Sequence, residues 1–196
     1  MVTYHTTADT ALGRRPSRLQ LDLPEVVLAL AASHFVSRAG GVVQSFLVLY
    51  LTQQQHLPPT TAGAVVATVG IGGVGSQILG GRLGDRIGRR NTMLIGFLGT
   101  ALALIALGSA DTVPAIAAAA AVLGLMGDLF RPAGAAMVAD LPPRQRIRAF
   151  GLLFWAANLG FSVATVTAGI LAKHGYGLLF WINATASVVA ALIVWH

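Results

Sequence analysis

Gly81-Arg82-Leu83-Gly84-Asp85-Arg86-Ile87-Gly88-Arg89-Arg90 places four arginines and one aspartate within ten residues. The segments on either side, Thr60 to Gly80 and Asn91 to Gly108, carry no charge at all. A guanidinium is costly to bury in hydrocarbon. A dense charged string between two long apolar segments therefore predicts a tight turn at a membrane surface. Basic connections stay on the cytoplasmic side, so the arginines also predict which surface.

The composition points the same way. Of the 196 residues, 55% are hydrophobic and 10% charged, with a mean hydropathy of +0.73. A soluble domain has about 25% charged residues, so the chain reads as an all-α integral membrane protein. It has no cysteine, which excludes disulfides, thiol catalysis and Cys-ligated metal.

A membrane-spanning helix needs roughly 20 mostly apolar residues. Six stretches qualify: about Pro24–Leu51, Thr60–Gly81, Asn91–Gly108, Val113–Leu141, Ile147–Lys173 and Gly177–Trp195. Short connections with Pro or Gly separate several of them. Residues 1–23 are polar and irregular and read as a disordered cytoplasmic tail, leaving 24–196 as one six-helix domain. No strand-length alternation of the kind a membrane barrel needs is visible.

The net charge of +6 could suggest nucleic acid, but the positions of the basic residues explain it instead. Arg14, Arg15 and Arg18 lie in the tail, Arg82, Arg86, Arg89 and Arg90 after helix 2, and Arg144, Arg146 and Arg148 after helix 4. Six spans place all ten on one side, with Lys173 alone opposite. That bias predicts cytoplasmic N- and C-termini and leaves no charge for nucleic acid to account for.

The opening string resembles the signature loop between helices 2 and 3 of the major facilitator superfamily of transporters. Gly81, Leu83, Gly84, Asp85, Arg86, Gly88, Arg89 and Arg90 all fit its pattern, in the expected place between two apolar segments. The resemblance implies the N-terminal six-helix half of such a transporter, built from inverted three-helix repeats. A faint echo agrees: Gly169-x-Leu171-Ala172 ends helix 5 as Gly81-x-Leu83-Gly84 ends helix 2. The stretch Met137 to Arg148 resembles the family's helix 4–5 junction. There the resemblance implies that Asp140 pairs with Arg89 or Arg90, and that Asp85 meets a helix of the other half, as a conformational gate.

Within the spans, ionisable residues are candidates for function by default. Arg38 sits midway along helix 1, and His34, Arg38, Gly41 and Ser45 fall at helical spacing on one face. Arg38 reads as a cation lining a cavity or as a partner for a polar group on a neighbouring helix. Asp128 and Arg131 are neighbours on helix 4. Pro132 removes the backbone bond to the Asp128 carbonyl and should kink the helix there, freeing that carbonyl. The cluster reads as a substrate or proton site, with Asp128 the best candidate for proton coupling, or as a self-neutralised pair. Asn158, Ser162 and Thr165 share a face of helix 5. Helices 3 and 6 are almost wholly apolar and are expected on the lipid-facing outside.

Nothing in the sequence suggests an enzyme or a cofactor. The histidines have no metal spacing. There is no Gly-x4-Gly-Lys-Ser/Thr loop for nucleotide hydrolysis. Gly70-Ile-Gly72-Gly73-Val-Gly75 lies inside an apolar helix and reads as close helix packing.

The expected function is secondary transport of a small-molecule substrate across the plasma membrane, by proton-coupled export. The family places the substrate site between two halves, so this chain would supply one wall. The second wall is a missing C-terminal six-helix half or, alternatively, a second copy in a parallel homodimer. A third reading is a membrane interaction or sensor protein that transports nothing.

Overall fold

The computed structural model describes residues 23–171 and 177–196. The tail expected over 1–23 falls, except for Leu23, outside the described residues, as do Ala172 and Lys173. The described chain is helical and contains no strand. Six segments are long and apolar enough to cross a membrane.

The first span is α1 (Glu25–Gly40), α2 (Val42–Leu49) and a short π-helical turn (Tyr50–Gln54). The second is α3 (Pro59–Ile87) and the third α4 (Arg89–Gly108). The fourth is α5 (Val113–Gly127) followed by α6 (Phe130–Ala139). The fifth is α7 (Pro143–Leu171) and the sixth α8 (Gly177–Trp195).

The spans pack with an internal symmetry. The second lies chiefly on the fourth, and the fifth on the first. The third pairs with the sixth, which also packs on the first, while the third also packs on the fourth. Exchanging the first three spans with the last three reproduces these neighbours, as expected of a three-helix repeat.

The spans are unequally buried within this bundle. Spans 3 and 6 are not the most exposed, despite being nearly uniform in apolarity. Half of the apolar window of span 3 is buried, against 17% for span 2 and 22% for span 5. Spans 2 and 5 each have one main neighbour, so each keeps a bare apolar face: Ile71, Val74 and Ile78 on α3, and Phe154, Trp155, Phe161 and Val166 on α7. Apolar composition does not distinguish lipid from a packed neighbour, because both are equally oily.

The signature string is also less of a loop than expected. α3 continues through Arg82, Asp85 and Arg86 to Ile87, and α4 starts at Arg89. Only Gly88 separates them, at φ 89° and ψ 149°. That region of backbone space is essentially open only to glycine, which accounts for Gly88 stereochemically.

Candidate functional site

The interior divides into two apolar clusters. One gathers Val43, Leu47, Leu104, Ile116, Leu123 and Phe180. The other gathers Val27, Leu30, Met93, Phe97, Phe130 and Val138. Between them lies a layer of polar side chains: Ser37, Arg38 and Gln44 from span 1, Thr100 from span 3, Asp128 from span 4, and Asn183 and Ser187 from span 6.

Two helix breaks create this layer. In span 1, α1 stops at Gly40, and the Gly41 N–H turns back to the Arg38 carbonyl at 3.1 Å. In span 4, α5 stops at Gly127, and the Arg131 N–H reaches the Asp128 carbonyl at 3.0 Å. The second break lies four residues before Pro132, where the missing N–H predicts it. The carbonyl is not free, however: the shorter i to i+3 bond satisfies it, as backbone at membrane depth requires. The face read at helical spacing through Gly41 is likewise interrupted by the first break.

Arg38 and Asp128 meet at these breaks. Arg38 Nη2 donates to Asp128 Oδ1 at 3.2 Å, and Arg131 Nε lies 3.1 Å from the same oxygen. One carboxylate thus holds two guanidiniums from two spans, leaving a formal local charge of +1. The three side chains keep 22%, 29% and 48% of their exposure for Arg38, Asp128 and Arg131. The cluster is therefore only partly buried within these six spans. It borders a groove of about 480 Å³ between spans 1, 2 and 4, lined by Gln44, Val69, Gly70, Gly73, Gln77 and Asp128.

Close backbone contacts fix the cluster. A Cβ on Gly160 of α7 would lie 2.6 Å from the Phe35 carbonyl oxygen and 2.8 Å from the Arg38 Cβ. A Cβ on Gly80 of α3 would lie 2.8 Å from the Leu129 carbonyl oxygen and 2.5 Å from the Pro132 ring. Glycine thus lets spans 2 and 5 each press on the break of a neighbour. In the Gly70–Gly75 stretch, Gly72 likewise meets α5 backbone, whereas Gly70 and Gly73 face open space.

The remaining sequence candidates lie elsewhere. His34 is half-buried, and its Nδ1–H donates to the Leu30 carbonyl at 2.8 Å. Its ring stands edge-on to Phe130 with centroids 4.9 Å apart. It packs on α6 and does not join the ion pair. Asn158 and Ser162 are exposed on α7 and bond to their own helix, at the Phe154 and Asn158 carbonyls. Gln44, Gln77, Asn183 and Ser187 escaped the sequence reading, although each is a rare polar residue in an apolar span and could have been noticed for that reason.

The second candidate region is the end of the bundle that carries the signature string. Arg89 Nη1 donates to the Ala136 carbonyl at 2.9 Å and pairs with Asp140. Arg90 Nε donates to the Val194 carbonyl at 2.9 Å, with its guanidinium 5.5 Å from the Trp195 ring centroid. Two arginines in the first turn of α4 oppose its dipole. Each is compensated by a carbonyl in the last turn of α6 or α8, where basic side chains are favoured. Asp85, Arg82 and Arg86 are exposed and form no ion pair with the described residues. Gly81 faces open space, and Gly84 has only Arg89 near it. Leu83 is partly buried.

A family model described as Major Facilitator Superfamily matches residues 30–196. The chain is 31% identical to the tetracenomycin C resistance and export protein of Streptomyces glaucescens, covering 97% of this chain and 35% of that protein. It is 28% identical to the puromycin resistance protein pur8 of Streptomyces alboniger, over 85% of this chain and 34% of that protein. The chain thus spans about a third of the length of these relatives. A solved peptide transporter POT in complex with sulfate shares the fold, with a TM-score of 0.79 at 24% identity, covering 88% of this chain and 37% of that one.

Proposed function

The chain belongs to the Major Facilitator Superfamily, and on that premise we propose that it forms one six-span wall of a proton-coupled exporter of small molecules. In this reading the protein lies in the plasma membrane with both termini cytoplasmic, as the basic residues of the signature string and of the Arg144–Arg148 stretch suggest. Asp128 carries the coupled proton. Arg38 and Arg131 hold its carboxylate when the proton is absent, and Arg131 presents positive charge to the groove when it is bound. Asn158 and Ser162, exposed on α7, face substrate from span 5. His34 packs α1 against Phe130 and Gly134 of α6.

The observation that carries this reading is the one acid shared by two arginines at paired helix breaks, bordering an open groove. Broken helices that expose charge near the midplane are how transporter folds build coupling sites. An acid there can exchange its proton with groove water and change its hold on two spans at once.

The signature string acts as the gate. The Arg89–Asp140 pair holds the cytoplasmic ends of spans 3 and 4 together, and Asp85 reaches a helix of the second wall. The bare faces of α3 and α7 are the surfaces that second wall covers. It comes from a further six-span half of the same protein; a second copy of this chain in parallel is the alternative arrangement. The relatives named for export and resistance support tetracenomycin C and puromycin as probes. Cells expressing the full-length protein should survive higher concentrations of at least one of them, and a protonophore should abolish the protection. Protection that persists once the proton gradient is collapsed would contradict proton coupling.

A further inference from the structure

A small cavity of about 30 Å³ lies beside the ion pair, bounded by Ser37, Arg38, Gln44, Thr100, Asn183 and Ser187 among others. That is room for one or two waters. It is distinct from the groove that Asp128 faces: Arg38 lines the cavity, Asp128 lines the groove, and Gln44 touches both. The ion pair is the partition between them.

Asn183 is the unusual member of this wall. Its residue is 5% exposed, and its carboxamide makes no hydrogen bond to another described residue. Ser187 Oγ donates to the Asn183 carbonyl at 2.9 Å and Thr100 Oγ1 to the Gly96 carbonyl at 2.7 Å, each keeping its acceptor lone pairs, while Ser37 and the exposed Gln44 have no hydrogen bond to another described residue. Among the described residues only Ser76 Oγ is fully buried without a partner, so the Asn183 carboxamide opens onto the cavity, and a polar residue inside a membrane span is seldom retained without a use. Asn183 is also held beside the α1 break. A Cβ on Gly40 would meet the Ala186 Cβ at 2.1 Å and the Asn183 Cα at 3.6 Å.

We propose that Asn183 and this cavity form a second seat for the Arg38 guanidinium, occupied when Asp128 is neutral. The inference rests on the reading of Asp128 as the group that takes up a proton. That proton comes from groove water and returns to it, and no other bond changes except the ion pair. A guanidinium has five N–H donors and accepts nothing, so Arg38 always needs acceptors. Against a carboxylate, no neutral group competes. Once the carboxyl is neutral it is no better an acceptor than a carboxamide. Asp128 then still has Arg131 beside it, whereas the Asn183 oxygen accepts from no described residue and has only cavity water to displace. Arg131, the more exposed cation, stays with groove water. His34, the other titratable group on α1 nearby, is turned to α6. Proton uptake thus transfers Arg38 from span 4 to span 6 and loosens the contact between spans 1 and 4 without stranding a buried charge.

The test is a thermal-unfolding cycle on the purified full-length protein in detergent. Asn183→Leu should shift the melting temperature by less than about 1 °C when Asp128 is present. In the Asp128→Ala background, where anion and acceptor are both gone, it should lower it by a further 3 °C or so, because Arg38 loses its remaining seat. If Asn183→Leu overfills the pocket and does not fold, Asn183→Ala tests the same coupling. Equal shifts in the two backgrounds would overturn the second seat. The cycle contains no transport step, so failure of Asp128 as proton carrier would appear separately, in gradient-driven transport.

Discussion

Arg38 and Asp128 stand ninety residues apart in sequence and 3.2 Å apart in space, each at the point where its own span stops being a continuous helix. The two spans occupy equivalent places, first in each set of three. Each break turns one backbone N–H onto the carbonyl of the charged residue itself, Arg38 in one span and Asp128 in the other. A cation from one repeat and an anion from the other therefore share a depth, and the bond between them ties the repeats together where both are least regular.

That geometry makes the two residues unequal. Arg38→Gln leaves Asp128 still paired with Arg131, whereas Asp128→Asn leaves two guanidiniums with no anion. Asp128→Asn should be the more destabilising change. A double-mutant cycle should return a coupling of about 1 kcal/mol, because both side chains keep contact with solvent. Strict additivity in thermal unfolding would mean that the pair does not form in the folded protein.

Gly88 and Gly81 belong to one motif but should respond differently to alanine. Gly88 sits at φ 89° between two helices, and a Cβ there costs about 1–3 kcal/mol. Gly88→Ala should lower thermal stability and misdirect Arg89 and Arg90. Gly81 is inside α3 with nothing within 4 Å of an added Cβ. Gly81→Ala should fold at least as well as the parent. If it nevertheless loses transport, the open face at Gly81 is needed by the second wall. Equal destabilisation by the two substitutions would contradict the helical reading of this segment.

Much of the fold could be read from the sequence, and the failures have physical causes. The six spans follow from apolar length, and the break at Asp128 from Pro132. Charge marks the membrane surface, so the charged string reads as a loop. A helix can nevertheless continue past that surface, and Arg82 to Ile87 do so until Gly88 stops them. Nothing local announces the break at Gly41, a glycine among several in apolar spans. The Arg38–Asp128 bond needs two spans to be neighbours, which no single stretch reveals. Asn183 gives little signal in the sequence, because one amide hardly alters the apolarity of α8.

The Arg89–Asp140 pair should matter more for motion than for folding. Both partners are partly exposed, at 34% and 67%, and such pairs contribute at most about 1 kcal/mol. Asp140→Asn should leave melting within a few degrees of the parent while lowering transport. Since the chain has no cysteine, a single cysteine at Ala136 can report opening of this end. It should react faster with a thiol reagent in Asp140→Asn. An unchanged labelling rate together with unchanged transport would remove the gate role.

The orientation is open to a direct check. A reporter active only in the cytoplasm should be active when fused at Arg86 and silent when fused at Gln54. The reverse pattern would invert the topology and place the arginine-rich end outside.

The proton role of Asp128 is tested most directly in vesicles that hold the full-length protein, with the probe that gives resistance in cells. With an imposed pH gradient, the parent should accumulate the probe uphill. Asp128→Asn should lose that accumulation completely yet still equilibrate the probe downhill, because the substituted side chain binds no proton while the groove stays intact. Uphill accumulation surviving in Asp128→Asn would contradict the account, reducing the Arg38–Asp128–Arg131 cluster to a structural tie between two spans.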